Sequence, residues 1–126
     1  PRTELVVTVG WHLHNFYTAL EDLFARVAAE LNAAPVQGPR SHAALLQRMA
    51  RPVPEVRPAV ICRPTMLALH ELQRFRHVFR HAYTYALQWE KMAPLAEALP
   101  ELMAALEGDL TTFDRFLAGA AAALEE

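Results

Sequence analysis

The chain has 126 residues, a hydrophobic fraction of 53% and a net charge of −2. That length is one domain, residues 1–126, and that apolar content excludes a disordered chain, while the slight negative charge argues against a general nucleic-acid binder. No run approaches about 18 consecutive apolar residues, so no membrane span is expected. No basic region leads from Pro1–Glu4 into a cleavable apolar stretch, so no secretory signal is expected either. The single cysteine, Cys62, cannot close an internal disulfide, which points to a reducing, cytoplasmic setting. Its thiol reads more simply as a small hydrophobe than as a nucleophile.

In chain order, residues 3–32 read as one long helix. Leu5, Val9, Leu13, Phe16, Leu20, Leu23, Phe24, Val27 and Leu31 recur at helical steps, weakened locally by Gly10. Pro35 and Gly38-Pro39 end it. Ser41 can cap a shorter helix over 42–51, with Ala44, Leu45, Leu46 and Met49 inward. Pro52, Pro54, Pro58 and Pro64 then predict an extended loop, with Val60, Ile61 and Cys62 tucked beneath it. A third helix follows over 65–86. Trp89 and Glu90 open a fourth element, Pro94 fits the first turn of a helix from about 91, and Pro100 either kinks it or begins a new helix. From Glu101 to Leu124 the inward set is Leu102, Ala105, Leu106, Leu110, Phe113, Phe116, Leu117 and Ala120. Strand alternation is absent, so the expected fold is all-α, an up-down bundle of four main helices.

Charge is unevenly spread. Residues 40–80 hold eight arginines against two glutamates, a local net of +6, and residues 92–126 hold seven acids against Arg115, a net of −6. Two readings stand: a basic face for phosphate, or middle arginines paired with C-terminal acids for solubility.

The basic stretch is densest in the third helix. At about 100° per residue, Leu72, Phe75, Phe79, Ala82 and Ala86 form a core stripe. Arg76, Arg80 and Tyr83 lie on one flank, and His70, Arg74, His77 and His81 on the other, polar side. Arg76 and His81 point about 140° apart, so they meet at one phosphate only if the helix end loosens or a second copy of the chain supplies the complement. A histidine can take a proton from a ribose 2′-hydroxyl, and an arginine can hold a phosphate and stabilise a phosphorane. Together these suffice for metal-free RNA cleavage. Metal-dependent cleavage would want clustered carboxylates, and the segment offers only Glu71. His77 and His81 have zinc-ligand spacing, but nothing beyond His70 is spaced to complete the set, so no metal or cofactor is expected. For any of these side chains taken alone, a solvated helix face is the simpler account.

The block Phe75-Arg76-His77-Val78-Phe79-Arg80-His81-Ala82-Tyr83 resembles the Arg-x4-His-x-Tyr signature of HepT-like proteins in the HEPN superfamily. Leu13-His14-Asn15-Phe16-Tyr17 with Glu21-Asp22-Leu23-Phe24, and Arg57-Pro58-Ala59-Val60-Ile61, resemble other parts of the family. The resemblance implies a helical-bundle homodimer that acts as a metal-independent ribonuclease toxin, with Arg76 and His81 catalytic at the interface. Arg80, His77 and Arg74 would then contact RNA phosphate. It implies a nucleotidyltransferase antitoxin of the MNT type that transfers AMP from ATP onto Tyr83, with Tyr85 the nearest rival site. One departure is His77, where many members carry Asn or Asp. The family also includes non-catalytic members that bind a nucleotidyltransferase or a nucleotide, and that alternative stands beside the first.

Overall fold

The computed structural model describes residues 3–31, 41–81 and 88–125, and the side chains of all of these but Thr3, Ser41, Arg80 and His81. Helix α1 is Thr3–Leu31, α2 is Ser41–Met49, α3 is Arg63–His81 and α4 is Trp89–Leu124. The only bridge of strand type among the described residues is the isolated pair Val53 and Arg57, so the fold is an all-α bundle.

The inward face of α1 is Val6, Leu13, Tyr17, Leu20, Phe24 and Ala28, all buried. Two residues expected there, Leu5 and Leu23, are instead 57% and 42% exposed. Both sit about 80° from Leu13 on an ideal helix, so the three- and four-residue recurrence carried the stripe past its edge. Tyr17, which the apolar count passed over, takes a fully packed position. Leu45, Leu46 and Met49 of α2 and Leu69 and Leu72 of α3 close the same core. Phe75 and Phe79 are partly buried, whereas Ala82, Ala86 and any continuation of α3 past His81 lie outside the described residues.

The proline-rich connection is pinned at several points. Val53 and Arg57 exchange backbone hydrogen bonds around a tight turn at 2.9 and 3.0 Å, with Glu55 in the left-handed region at φ 66°. The backbone N–H groups of Val60 and Ile61 both donate to the Met49 carbonyl at the end of α2. Val60 and Ile61 are buried as expected, but Cys62 is exposed, because it stands at the start of α3 rather than beneath the loop. Its N–H donates to Asp109 Oδ2 of α4 at 3.0 Å, a carboxylate placed where a helix N-terminus favours negative charge.

α4 begins at Trp89, where the element was expected to open, but it is helical from that residue, so Pro94 falls inside the helix rather than in its first turn. Pro94 and Pro100 each remove an internal hydrogen bond, yet α4 runs unbroken for 36 residues. Burial of Met92, Leu102, Leu106 and Phe113 holds it against the bundle. Ala105, Leu117 and Ala120, expected inward, are exposed. The Met92 methyl lies near Gly10 of α1, and Leu110 and Phe113 lie beside Leu23 and Val27. Gly10 packs on Phe79 and Thr18 bonds Arg76, so α3 runs antiparallel to α1 while α4 runs with it.

Candidate functional site

The antiparallel α1–α3 seam is where the arginine of the sequence motif lands. Arg76 is on the α3 flank next to the core stripe, so its side chain turns toward α1 and is 13% exposed. Its Nε donates to Thr18 Oγ1 at 3.0 Å, and its Nη1 lies 3.8 Å from Glu21 Oε1. The guanidinium carbon also stands 6.0 Å from the centre of the Tyr17 ring. Thr18 and Glu21 are neighbours at i, i+3 on one flank of α1, which lets one guanidinium meet both.

Glu21 serves a second cation-forming group. His42 Nδ1 of α2 is 2.8 Å from the same Oε1, so this carboxylate joins α1, α2 and α3. The His42 contact has hydrogen-bond length, while the Arg76 contact is longer than a charge-assisted hydrogen bond and acts mainly through charge. Glu21 Oε2 is buried without a hydrogen-bond partner. Burial holds the Tyr17 phenol well above the ordinary tyrosine range, with the Glu21 charge adding to the effect and Arg76 opposing it. The Thr18 and Glu21 contacts fix the orientation of the Arg76 guanidinium against α1.

The other motif residues are placed less completely. Arg74 is exposed and pairs at 3.5 Å with Glu71 on the outer face of α3, and His77 is also exposed. Arg80 and His81 close α3, but their side chains lie outside the described residues, as do Tyr83 and Tyr85 entirely. The pairing of Arg76 with His81 is therefore not on view. Among the described residues, no group of three or more His, Cys, Asp and Glu side chains is gathered closely enough to hold a metal ion. Among the described residues, no helix is long and apolar enough to cross a membrane.

Arg57 leaves the basic face altogether. It is 3% exposed, and its guanidinium donates to the carbonyls of Arg51, Pro58 and Arg48 at 3.0, 2.9 and 3.1 Å. Burial pushes its pKa below the usual arginine value. It caps the carbonyl end of α2, a structural task that its place in a run of arginines did not suggest. Sequence reasoning also missed Thr18, Glu21 and His42. One signal was present: Glu21 is four residues after the buried Tyr17 and three before the buried Phe24, a carboxylate at the edge of an apolar stripe.

An apolar groove of about 380 Å³ runs between α3 and α4, lined by Ala68, Leu72, Leu95, Leu102 and others. Its charged lining residues are Glu71 and Glu101, which would repel phosphate, so it is distinct in character from the Arg76 seam.

No curated protein and no solved structure matches the chain. A family model described as HepT-like protein matches residues 8–117, a span that takes in Thr18, Glu21, His42 and the whole Arg76–Tyr83 block. With that match laid over an all-α bundle, the chain belongs to the HepT-like proteins of the HEPN superfamily.

Proposed function

We propose that the protein is the toxin of a toxin–antitoxin pair, a metal-independent ribonuclease working as a homodimer. The observation that carries this reading is the family match over residues 8–117 together with Arg76-x4-His81-x-Tyr83 inside it. The oriented guanidinium of Arg76 supports it, since a fixed cation at the phosphate adds no reorganisation cost when negative charge develops. In this scheme His81 takes the proton of a ribose 2′-hydroxyl, and the 2′-oxygen attacks the adjacent phosphorus. The bond to the 5′-oxygen breaks, and that oxygen leaves with a proton from the imidazolium or water. The products are a 2′,3′-cyclic phosphate and a 5′-hydroxyl. Arg76 holds the phosphate through the phosphorane, and Arg74, His77 and Arg80 contact the strand beside it.

The dimer is part of the proposal because Arg76 and His81 diverge by about 140° on one helix. Leu67 and Val78, 50% and 54% exposed, lie 11 residues apart on one outer face of α3 and suit a two-fold pairing there. A nucleotidyltransferase antitoxin of the MNT type would transfer AMP to Tyr83, setting an anionic adduct beside the arginines and blocking the phosphate site.

The experiment is RNA cleavage in EDTA by the full chain, with His81→Ala and Arg76→Lys variants. Cleavage is expected to persist in EDTA and to be lost in both variants. Activity that survives His81→Ala, or that EDTA abolishes, overturns the mechanism. The second reading is a non-catalytic module that binds a nucleotidyltransferase or a nucleotide. The part-buried contact of Arg76 with Glu21 favours it, because a structural arginine sits in that way. Expression without the antitoxin separates the two readings: a toxin arrests growth and a binding module does not.

A further inference from the structure

Trp11 is 54% exposed, yet its indole is held in place. The ring lies parallel to the His14 imidazole, 2° between planes and 5.4 Å between centroids. It also meets Phe79 of α3 at 5.7 Å and 46°. His14 meets Phe79 in turn at 5.4 Å, and Phe75 backs Phe79 at 5.8 Å. Gly10 allows this by letting the Phe79 ring lie directly against α1, where Phe79 Cε2 would stand 2.9 Å from an added Cβ.

The location gives the stack a use. Trp11, His14, Thr18 and Glu21 share one flank of α1, spanning about 80° of arc and about 15 Å of helix axis. On the facing helix, Phe79 is one turn beyond Arg76. The aromatic set therefore extends the Arg76 site along the α1–α3 seam, toward the end of α3 that carries His81. The geometry points to a base-stacking platform: Trp11, braced by His14 and Phe79, takes an unpaired nucleobase of a strand whose phosphate is at Arg76. This rests on the ribonuclease reading and adds the substrate class, single-stranded RNA. Every base has a π-face that an aromatic side chain can cover, whereas a duplex keeps those faces stacked. Arg76 supplies the attraction for the backbone that an aromatic ring lacks. The rival occupant is a second copy of the chain, covering the indole in a dimer.

The test uses the full-length chain with Trp89→Phe, so that Trp11 is the one remaining fluorophore of its type. The probe is a single-stranded 2′-O-methyl oligoribonucleotide, which cannot be cut through its 2′-oxygen, alongside the same sequence as a duplex. Saturable quenching by the single strand and none by the duplex is expected. In a Trp11→Ala variant of the native chain that keeps its helical circular dichroism, affinity is expected to fall about 5- to 100-fold. Trp11→Phe should fall less. In cleavage assays of unmodified RNA, KM should rise in Trp11→Ala with kcat held. Equal quenching by duplex, or an unchanged affinity in Trp11→Ala, overturns the platform. So does a loss of oligomeric state on Trp11→Ala in sedimentation, which assigns the indole to a contact between copies. A chain that binds the single strand through Trp11 but never cuts RNA keeps the platform and defeats the nuclease. A chain that cuts RNA with a KM indifferent to Trp11 does the reverse.

Discussion

Arg76 and Glu21 meet across the α1–α3 seam with Nη1 3.8 Å from Oε1, both side chains nearly buried at 13% and 14% exposure. The motif arginine is therefore part of the packing as well as of the proposed chemistry. Removing it leaves a shielded carboxylate whose second oxygen already has no hydrogen-bond partner. Breaking a wholly buried pair costs about 3–5 kcal/mol, and His42 remains here as a partner, so Arg76→Ala should lose about 1–3 kcal/mol. Urea unfolding measures this. Arg76→Ala combined with Glu21→Ala should be less destabilised than the sum of the singles, with a coupling of about 1 kcal/mol. Strict additivity would mean that the two side chains do not interact. For the nuclease assay, Arg76→Lys is the cleaner variant because it keeps a cation opposite Glu21.

The helices were legible because burial on one face leaves a 3.6-residue trace, and α1 through α4 begin within a few residues of where that trace places them. Only the place of Pro94 in α4 differs: a first-turn proline was expected, while the helix is already formed at Trp89 and burial of Met92 holds it against the bundle. Arg76 stood out through its motif, but its contact with Thr18 spans 58 positions, and no local spacing encodes that. Arg57 counts in the sequence only as one of eight arginines in a basic stretch. Its acceptors are main-chain carbonyls, which any sequence supplies, so nothing in the side chains around it marked the difference.

That buried guanidinium makes a strong stability prediction. Arg57→Ala takes the guanidinium from the carbonyls of Arg51, Pro58 and Arg48, of which Arg48 keeps the Arg51 N–H, and should cost about 2–4 kcal/mol. Arg57→Lys should recover only part, because one ammonium cannot reproduce the planar fork that reaches all of them. Thermal unfolding by circular dichroism reads both variants. A Lys variant as stable as the parent would show that charge alone, not the fork, holds the loop.

Two helical glycines should respond to alanine with opposite sign. At Gly108 an added Cβ meets nothing within 4 Å, so Gly108→Ala should stabilise by about 0.5–1 kcal/mol through helix propensity. At Gly10 the same methyl would stand 2.9 and 3.2 Å from the Phe79 ring, and overpacking outweighs the propensity gain. Gly10→Ala should therefore lose about 1 kcal/mol net, and Phe79→Leu in the same chain should return part of it. Chemical denaturation of these three variants and the parent checks the signs, and a stabilised Gly10→Ala would mean that the seam can open by a few tenths of an ångström at little cost.

Tyr17 sets the alkaline limit. Burial first, and then the Glu21 charge, raise its pKa in the folded chain above the ordinary value near 10. The neutral phenol is thus favoured by folding. Its contribution is fully present below about pH 10, where the unfolded chain would begin to ionise, and is lost as pH climbs from there toward the folded value. Melting temperature should hold level across neutral pH and fall steeply above about pH 10. Tyr17→Phe removes the ionisable group while keeping the ring, so it should flatten that fall. It should also keep most of the packing of a side chain that is 1% exposed. If the parent and Tyr17→Phe lose stability in parallel above pH 10, the alkaline transition belongs to other groups, and the Tyr17 phenol ionises without opening the core.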